Sequence, residues 1–188
     1  MSQQPSEGKN LEVATLGAGC FWCTEAAFSI IRGVEKIEPG YTGGNVPNPS
    51  YEQVSTGKTG HAEAAQIFFD PKVISYKEIL EIYFTIHDPT SLNRQGADVG
   101  TQYRSAIFYH NQNQKATAEA LIKELTIEAI FDKPIVTSVE PLKIFYNAET
   151  YHKDYYKKHP KEPYCQIVIA PKIAKLQQRF FDKIKVPL

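Results

Sequence analysis

Three residues carry thiols, Cys20, Cys23 and Cys165, and two of them stand three apart in Gly19-Cys20-Phe21-Trp22-Cys23. If a helix begins here, the free N–H groups and the dipole of its first turn favour a thiolate at Cys20, the candidate nucleophile. Cys23 then lies on the same helix face, its Cβ about 5–6 Å away, within reach of a disulfide once the turn adjusts. A dithiol of this spacing supports disulfide exchange, metal ligation, or a redox nucleophile with its resolving partner. The plain alternative is a pair of small buried hydrophobes. Metal is the weaker option and none is expected: a zinc site needs two more ligands, and Cys165 has only His152 and His159 in its segment.

The elements that must position these thiols can be read from periodicity. Leu11 to Leu16 reads as a strand running into Gly17-Ala18-Gly19, and Phe21 to Ile31 as a helix closed by Gly33, so Cys20 sits at a strand-to-helix turn. Val34 to Tyr41 and His61 to Phe69 are further strand candidates, separated by a turn-rich loop over 42–49. Ser75 and Glu78 form a capping box ahead of a helix from Tyr76 to His87. A loop from Asp88 to Thr101, a strand from Tyr103 to Tyr109 and an amphipathic helix from Gln114 to about Phe131 follow. Ile135 to Phe145 alternates like one strand, Glu149 to Lys158 reads as helix, and Pro171 suits the start of a last helix over Lys172 to Ile184. Short, irregularly spaced strands interleaved with helices predict an α+β sheet rather than a doubly wound parallel one.

The 188 residues, 42 % hydrophobic and 22 % charged, fit one domain over 1–188, with a polar arm over 1–10 and a helical C-terminal tail over 164–188. Twenty-one basic residues balance 21 acidic ones, so no global field steers the chain to nucleic acid or anionic lipid. The polar N-terminus lacks a signal-peptide stretch and no run reaches the 18 apolar residues of a membrane span, which makes the cytoplasm the expected location. An odd count of three cysteines there argues against structural disulfides.

The segment GCFWCTEAAF, together with Gly40-Tyr41-Thr42-Gly43-Gly44, Asn48-Pro49-Ser50-Tyr51, Thr59-Gly60-His61-Ala62-Glu63-Ala64, His87-Asp88-Pro89 and Gly100-Thr101-Gln102-Tyr103-Arg104-Ser105, resembles the peptide methionine sulfoxide reductase A family. The blocks stand in family order from about residue 12 to residue 165. The resemblance implies that Cys20 is the nucleophile and that Phe21 and Trp22 form an apolar wall for the substrate's S-methyl group. It makes Glu63 the acid, Tyr51 and Tyr103 phenolic donors, and Asp98 a carboxylate of the substrate pocket. The implied fold is a two-layer α/β sandwich with a ferredoxin-like core. The implied activity is reduction of the S epimer of methionine sulfoxide, free or in oxidised proteins, by a monomer without bound cofactor that is recycled by thioredoxin or dithiothreitol. A general disulfide oxidoreductase is the alternative.

The residue types suit that chemistry. A sulfoxide sulfur yields to a thiolate only as its oxygen gains a proton, so a soft nucleophile must face an acid. Glu63 holds a proton near neutral pH only if burial beside apolar side chains such as Phe21 and Trp22 raises its pKa. Tyr51 and Tyr103 can donate hydrogen bonds to the oxygen as charge builds there. Reduction leaves Cys20 as a sulfenic acid, which a second thiol condenses to a disulfide and water. The chain departs from many relatives in carrying Cys23, often glycine in the family, as well as Cys165. Cys23 is the expected resolving thiol because it needs no loop closure, and Cys165 is either a second recycling thiol or a bystander. His61 and His87 are expected to be structural.

Overall fold

The computed structural model describes residues 10–185; all but the last residue of the expected N-terminal arm, and the final three of the tail, lie outside the described residues. The chain runs β1 (Glu12–Ala18), α1 (Phe21–Ser29), β2 (Val34–Thr42), α2 (Tyr51–Ser55), β3 (Ala62–Phe69), α3 (Tyr76–Ile86), β4 (Arg94–Gln95), β5 (Asp98–Val99), β6 (Ser105–Tyr109), α4 (Gln112–Ile127), β7 (Ser138–Pro141), β8 (Phe145–Asn147), α5 (Tyr155–Lys158) and α6 (Ala170–Arg179). The main sheet has the order β7-β6-β1-β3-β2-β8, and β4 and β5 form a separate small hairpin. Neighbours in the main sheet are antiparallel except β6 and β7. The fold is thus mixed α/β, a curled sheet with helices packed on it, as the interleaved pattern predicts.

Strand alternation decides what faces the helices. On β1, Ala14, Leu16 and Ala18 point into the main core, joined by Ala65, Ile67 and Phe69 of β3 and by Ile107 of β6. Glu63 shares the parity of Ala65 and Ile67, so the same alternation that builds the core sends its carboxyl inward. Phe28 and Ile31 close the core from α1 and its exit turn, and Ile79, Leu80, Ile82, Tyr83 and Ile86 from α3. Helix α3 begins with the expected capping box, Ser75 accepting from the Glu78 N–H and Glu78 from the Ser75 N–H. Helix α1 is buried nearly all round, because the sheet covers one side and α5, α6 and the turn before α6 cover the other.

The opposite face of the sheet explains one misreading. Ile135 to Phe145 is not one strand: β7 lies beside β6 at one edge and β8 beside β2 at the other. The chain between them crosses the sheet, with Leu142 and Phe145 packed on Ala62, Ala64, Ala106 and Phe108. Three alanines there leave room for a crossing segment, and the Thr42 hydroxyl anchors it by donating to the Ile144 carbonyl at 2.7 Å. Alternation looks the same whether one strand or two produce it.

Other boundaries moved for local reasons. The loop over 88–101 holds the β4–β5 hairpin and leads into a 3-10 turn at Thr101–Tyr103, so β6 starts at Ser105 rather than Tyr103. A second capping box, Ser50 with Gln53, starts the short α2 where no helix was expected. Glu149 to Lys158 is broken into a 3-10 turn and α5 by Asp154, whose φ of 55° is left-handed. The last helix starts early through a π-helical turn at Cys165–Ile169 and ends at Arg179.

Phe28 is completely buried between α1 and the sheet. Phe28→Ala should therefore lower stability by about 3–5 kcal/mol, read as a lower urea midpoint at unchanged slope. A loss under about 1 kcal/mol, the range of surface substitutions, would show that this packing is not what holds α1 to the sheet.

Candidate active site

The turn that delivers Cys20 depends on one glycine. Gly19 has φ +83°, and a Cβ at this position would lie 2.6 Å from Gln95 Cγ, so no larger residue fits. Gln95 is itself fixed, its Oε1 accepting from the Asp88 N–H at 3.0 Å. Cys20 then caps α1 with no side-chain hydrogen bond to the first turn, and only 8 % of it is exposed.

Glu63 lies opposite Tyr41 across β2 and β3, beneath the same helix start, and its Oε2 accepts the Phe21 N–H at 3.1 Å. Only 2 % of the residue is exposed. Burial pushes its carboxyl up to about 8, with the charges of Asp98 and Cys23 adding and the Phe21 N–H opposing. A protonated acid at neutral pH follows from this position.

The thiols differ from expectation. Burial pushes Cys20 well above the ordinary thiol range, helped by the Cys23 hydrogen bond and the Glu63 charge and opposed by the Tyr164 hydroxyl. The hydrogen bond with Cys20 holds Cys23 down to about 7, and Lys172 adds to the effect; the two thiols titrate as one pair. Cys165 is fully buried in the same small cluster as Cys20, Cys23, Ala26 and Ile169.

The remaining expected residues gather around this pair. Tyr51 starts α2 and Tyr103 ends the 3-10 turn; burial raises both phenols, and both feel the charges of Glu63, Asp98 and Cys20. Phe21 is 1 % exposed, held between Tyr41 and His152 at 5.8 and 4.9 Å between ring centres. Trp22 is half-buried and capped by the tail: Tyr155 stacks on it at 3.7 Å and Tyr164 meets it edge-on at 5.9 Å. Asp98, in β5, accepts the Tyr164 hydroxyl at 2.7 Å, and that hydroxyl lies 3.7 Å from Cys23 Sγ. A cavity of about 660 Å³ reaches Cys20 from the other side, bounded by Asp98, Tyr164, Phe131, Val168 and Lys172.

Sequence reasoning missed three members of this group. Tyr164 lies at the start of the expected tail with no role assigned to it, yet it links Asp98, Trp22 and Cys23. His152 was weighed only as a zinc ligand, but its imidazole is fully buried against Trp22 and Tyr51. Glu149 was read as a helix start and instead accepts hydrogen bonds from Tyr41, Tyr51 and Tyr151. Clustering of Glu149, Tyr151, His152, Tyr155 and Tyr156 in eight residues was the available signal. His61 and His87 are structural as expected. His61 takes the Gly44 N–H and contacts the Val46 carbonyl, holding the loop after β2, while His87 joins Tyr83 and Ser105 in a buried network. Among the described residues no group of three or more His, Cys, Asp or Glu could hold a metal ion, and no helix is long and apolar enough to cross a membrane.

A thiol at a helix start, a second thiol in reach and a buried protonated acid are the groups a thiol-dependent oxidoreductase needs. The profile of the family described as peptide methionine sulfoxide reductase matches residues 12–185, and the chain belongs to this family. The peptide methionine sulfoxide reductase MsrA of Saccharolobus solfataricus is 57 % identical over 176 residues, covering 94 % of this chain and 98 % of that protein. Mxr1 of Saccharomyces cerevisiae in reduced form superposes with a TM-score of 0.74 at 36 % identity, over 82 % of this chain and 89 % of that one. Methionine sulfoxide reductase A of Corynebacterium diphtheriae gives 0.73 at 32 %, over 83 % and 78 %. Mxr1 in complex with Trx2 shares the fold at a TM-score of 0.53 and 24 % identity, over 82 % of this chain and 89 % of that one. The chain is accordingly an oxidoreductase acting on methionine sulfoxide.

The position of Glu63 has a measurable cost. The unfolded chain loses this proton in the ordinary carboxylate range and the folded one only near 8, so the carboxyl opposes folding increasingly as pH rises between those values and fully above them. Glu63→Gln should be more stable than wild type at about pH 9, by a few kcal/mol at about 1.4 kcal/mol per pKa unit. The gain should fade toward about pH 4, where both states are protonated. Urea melts across pH test this, and a pH-independent difference would contradict the raised carboxyl.

Proposed function

We propose that Cys20 attacks the sulfur of the S epimer of methionine sulfoxide, free or in oxidised proteins, while Glu63 protonates the departing oxygen. The observation that carries this reading is the placement of both groups at one helix start, with the carboxyl still protonated at neutral pH. Oxygen passes from substrate sulfur to Cys20 sulfur: methionine is released and Cys20 becomes a sulfenic acid. Tyr51 and Tyr103 donate hydrogen bonds to the oxygen as charge grows on it. Phe21 and Trp22 hold the methyl group by apolar contact, and Asp98 binds the polar part of the substrate.

Cys23 then condenses with the sulfenic acid, forming the Cys20–Cys23 disulfide and one water. Its hydrogen bond to Cys20 and its low pKa favour it over Cys165 for this step. Cys165, clustered with Cys23, is the proposed second recycling thiol, taking over the disulfide as the tail moves. The final reductant is thioredoxin, as the complex of yeast Mxr1 with Trx2 suggests by analogy, or dithiothreitol in its place. Free thiols fit a monomer working in the reducing cytoplasm. Burial of the thiols under the tail argues against a general disulfide oxidoreductase, which must present its dithiol to folded proteins. The order β6-β1-β3-β2, with α1 and α3 as crossovers, supports a ferredoxin-like description of the central strands and a single domain built on them.

Two experiments test the scheme. With a methyl sulfoxide and dithiothreitol, Cys20→Ser should be inactive, and Cys23→Ser should retain a burst of one methionine per enzyme while turning over slowly. If Cys165→Ser stops multiple turnover and Cys23→Ser does not, Cys23 is not the resolving thiol. In single-turnover measurements, wild-type reduction should fall above about pH 8 as Glu63 loses its proton. Glu63→Gln should be slower by about 10²–10⁴-fold, the usual worth of a general acid, and should lose or shift that limb. An unchanged alkaline limb would move the acid's role to the tyrosines.

A further inference from the structure

The segment after β8 makes contacts that the proposed chemistry does not use. The Trp22 indole N–H meets His152 Nδ1 at 3.1 Å. An indole nitrogen only donates, so Nδ1 is unprotonated and the ring proton sits on Nε2. Nε2 is buried without a hydrogen-bond partner and faces Glu149 Oε2 at 3.7 Å. Glu149 is held in turn: Oε2 accepts the Tyr51 N–H at 3.3 Å and the Tyr151 hydroxyl at 3.0 Å, and Oε1 accepts the Tyr41 hydroxyl at 3.1 Å. The imidazole has no exposed surface and is enclosed by the rings of Phe21 at 4.9 Å, Tyr51 at 4.5 Å and Tyr151 at 4.1 Å.

We propose that His152, its tautomer fixed by the Trp22 indole N–H and its Nε2 facing Glu149, is a positioning residue that locks the Trp22 indole and joins it to the helix carrying Tyr51. Trp22 and Tyr51 come from elements about thirty residues apart with no main-chain ladder between them. Ring contacts with Tyr155 and Tyr164 are non-directional apolar packing and do not by themselves fix the angle at which the indole N–H points. A buried acceptor at a fixed point removes that freedom, since tipping the ring would strand an indole N–H and an imidazole nitrogen away from water. Glu149 extends the constraint by gripping the first N–H of α2 with the carboxylate oxygen that faces the imidazole. The wall and the phenol thereby share one anchor. The substrate half of this inference rests on the reading of Trp22 as the methyl wall; the anchoring of the indole does not.

Trp22 is the sole tryptophan, so its emission, near-UV circular dichroism and indole N–H resonance report on one site. His152→Leu removes the acceptor, whereas in His152→Asn the amide oxygen takes the place of Nδ1. In His152→Leu the dichroism of Trp22 should weaken and KM for a methyl sulfoxide should rise about tenfold, the worth of one hydrogen bond, with kcat within about twofold. His152→Asn should recover both. Unchanged dichroism and KM in His152→Leu, or a His152→Asn as impaired as His152→Leu, would overturn the proposal. Should the variants unfold, nitrogen NMR of the wild-type enzyme decides: an unprotonated, hydrogen-bonded Nδ1 supports it and a protonated Nδ1 sinks it. Failure of the methyl-wall reading shows separately, as an unchanged KM in Trp22→Ala.

Discussion

Two acids, Glu63 and Cys20, are buried at one helix start, and this is the constraint on which the rest of the site depends. The carboxyl takes the Phe21 N–H, and the thiol caps the same turn. The Glu63 charge raises Cys20, and the charges of Asp98 and the neighbouring Cys23 raise Glu63, because a dry pocket served by one helix terminus supports one negative charge far better than two. A proton held on Glu63 is therefore the condition for a thiolate on Cys20, and a thiolate on Cys20 keeps the proton on Glu63. With Cys20 as the proposed nucleophile and Glu63 as the proposed acid, the two are opposite charge states of one coupled pair, the combination that sulfoxide reduction requires.

The sheet makes the coupling possible by bringing two distant strands to one point. β1 delivers Cys20 through Gly19, and β3, its antiparallel neighbour, delivers Glu63 from the second residue of the strand. Cross-strand pairing fixes the two at the same end of the sheet to within a fraction of a residue. The tail completes the enclosure. Tyr155 and Tyr164 cover Trp22, and Cys165 and Ile169 cluster with Cys20 and Cys23, adding to the burial that shifts the pKa values.

What was legible in the sequence follows the same physics. Local signals read well: the capping box of α3, the strand-to-helix turn at Gly19 and the positions of β1 and β3 all depend on neighbours within a few residues. The site residues named from family blocks do gather around Cys20, including Asp98 and Tyr103, which periodicity alone could not place. Two kinds of information were out of reach. Division of Ile135 to Phe145 into β7 and β8 is set by the curl of the sheet, not by alternation. The pKa of Cys20 was expected to fall from helix polarity and instead rises, because the balance is decided by burial under a tail about 145 residues away. Tyr164 and His152 were hidden for the same reason: their value lies in what they touch.

For the proposed nucleophile, a raised resting pKa ties the start of chemistry to the arrival of substrate. On the proposed reading, a sulfoxide oxygen entering beside Glu63 accepts its proton in a hydrogen bond, and the carboxyl then turns from the helix terminus toward the oxygen. The Phe21 N–H and the helix dipole are left to the thiol, so the environment that opposed a Cys20 thiolate now favours it. Activation is thus tied to occupancy by a group that can accept a proton. An oxidant without such an oxygen meets a protonated, 8 % exposed thiol, which reacts slowly because the thiolate is the reactive form. Cys23, whose pKa is near 7, carries the ready charge instead, which suits a thiol whose task begins only after Cys20 has become electrophilic sulfur.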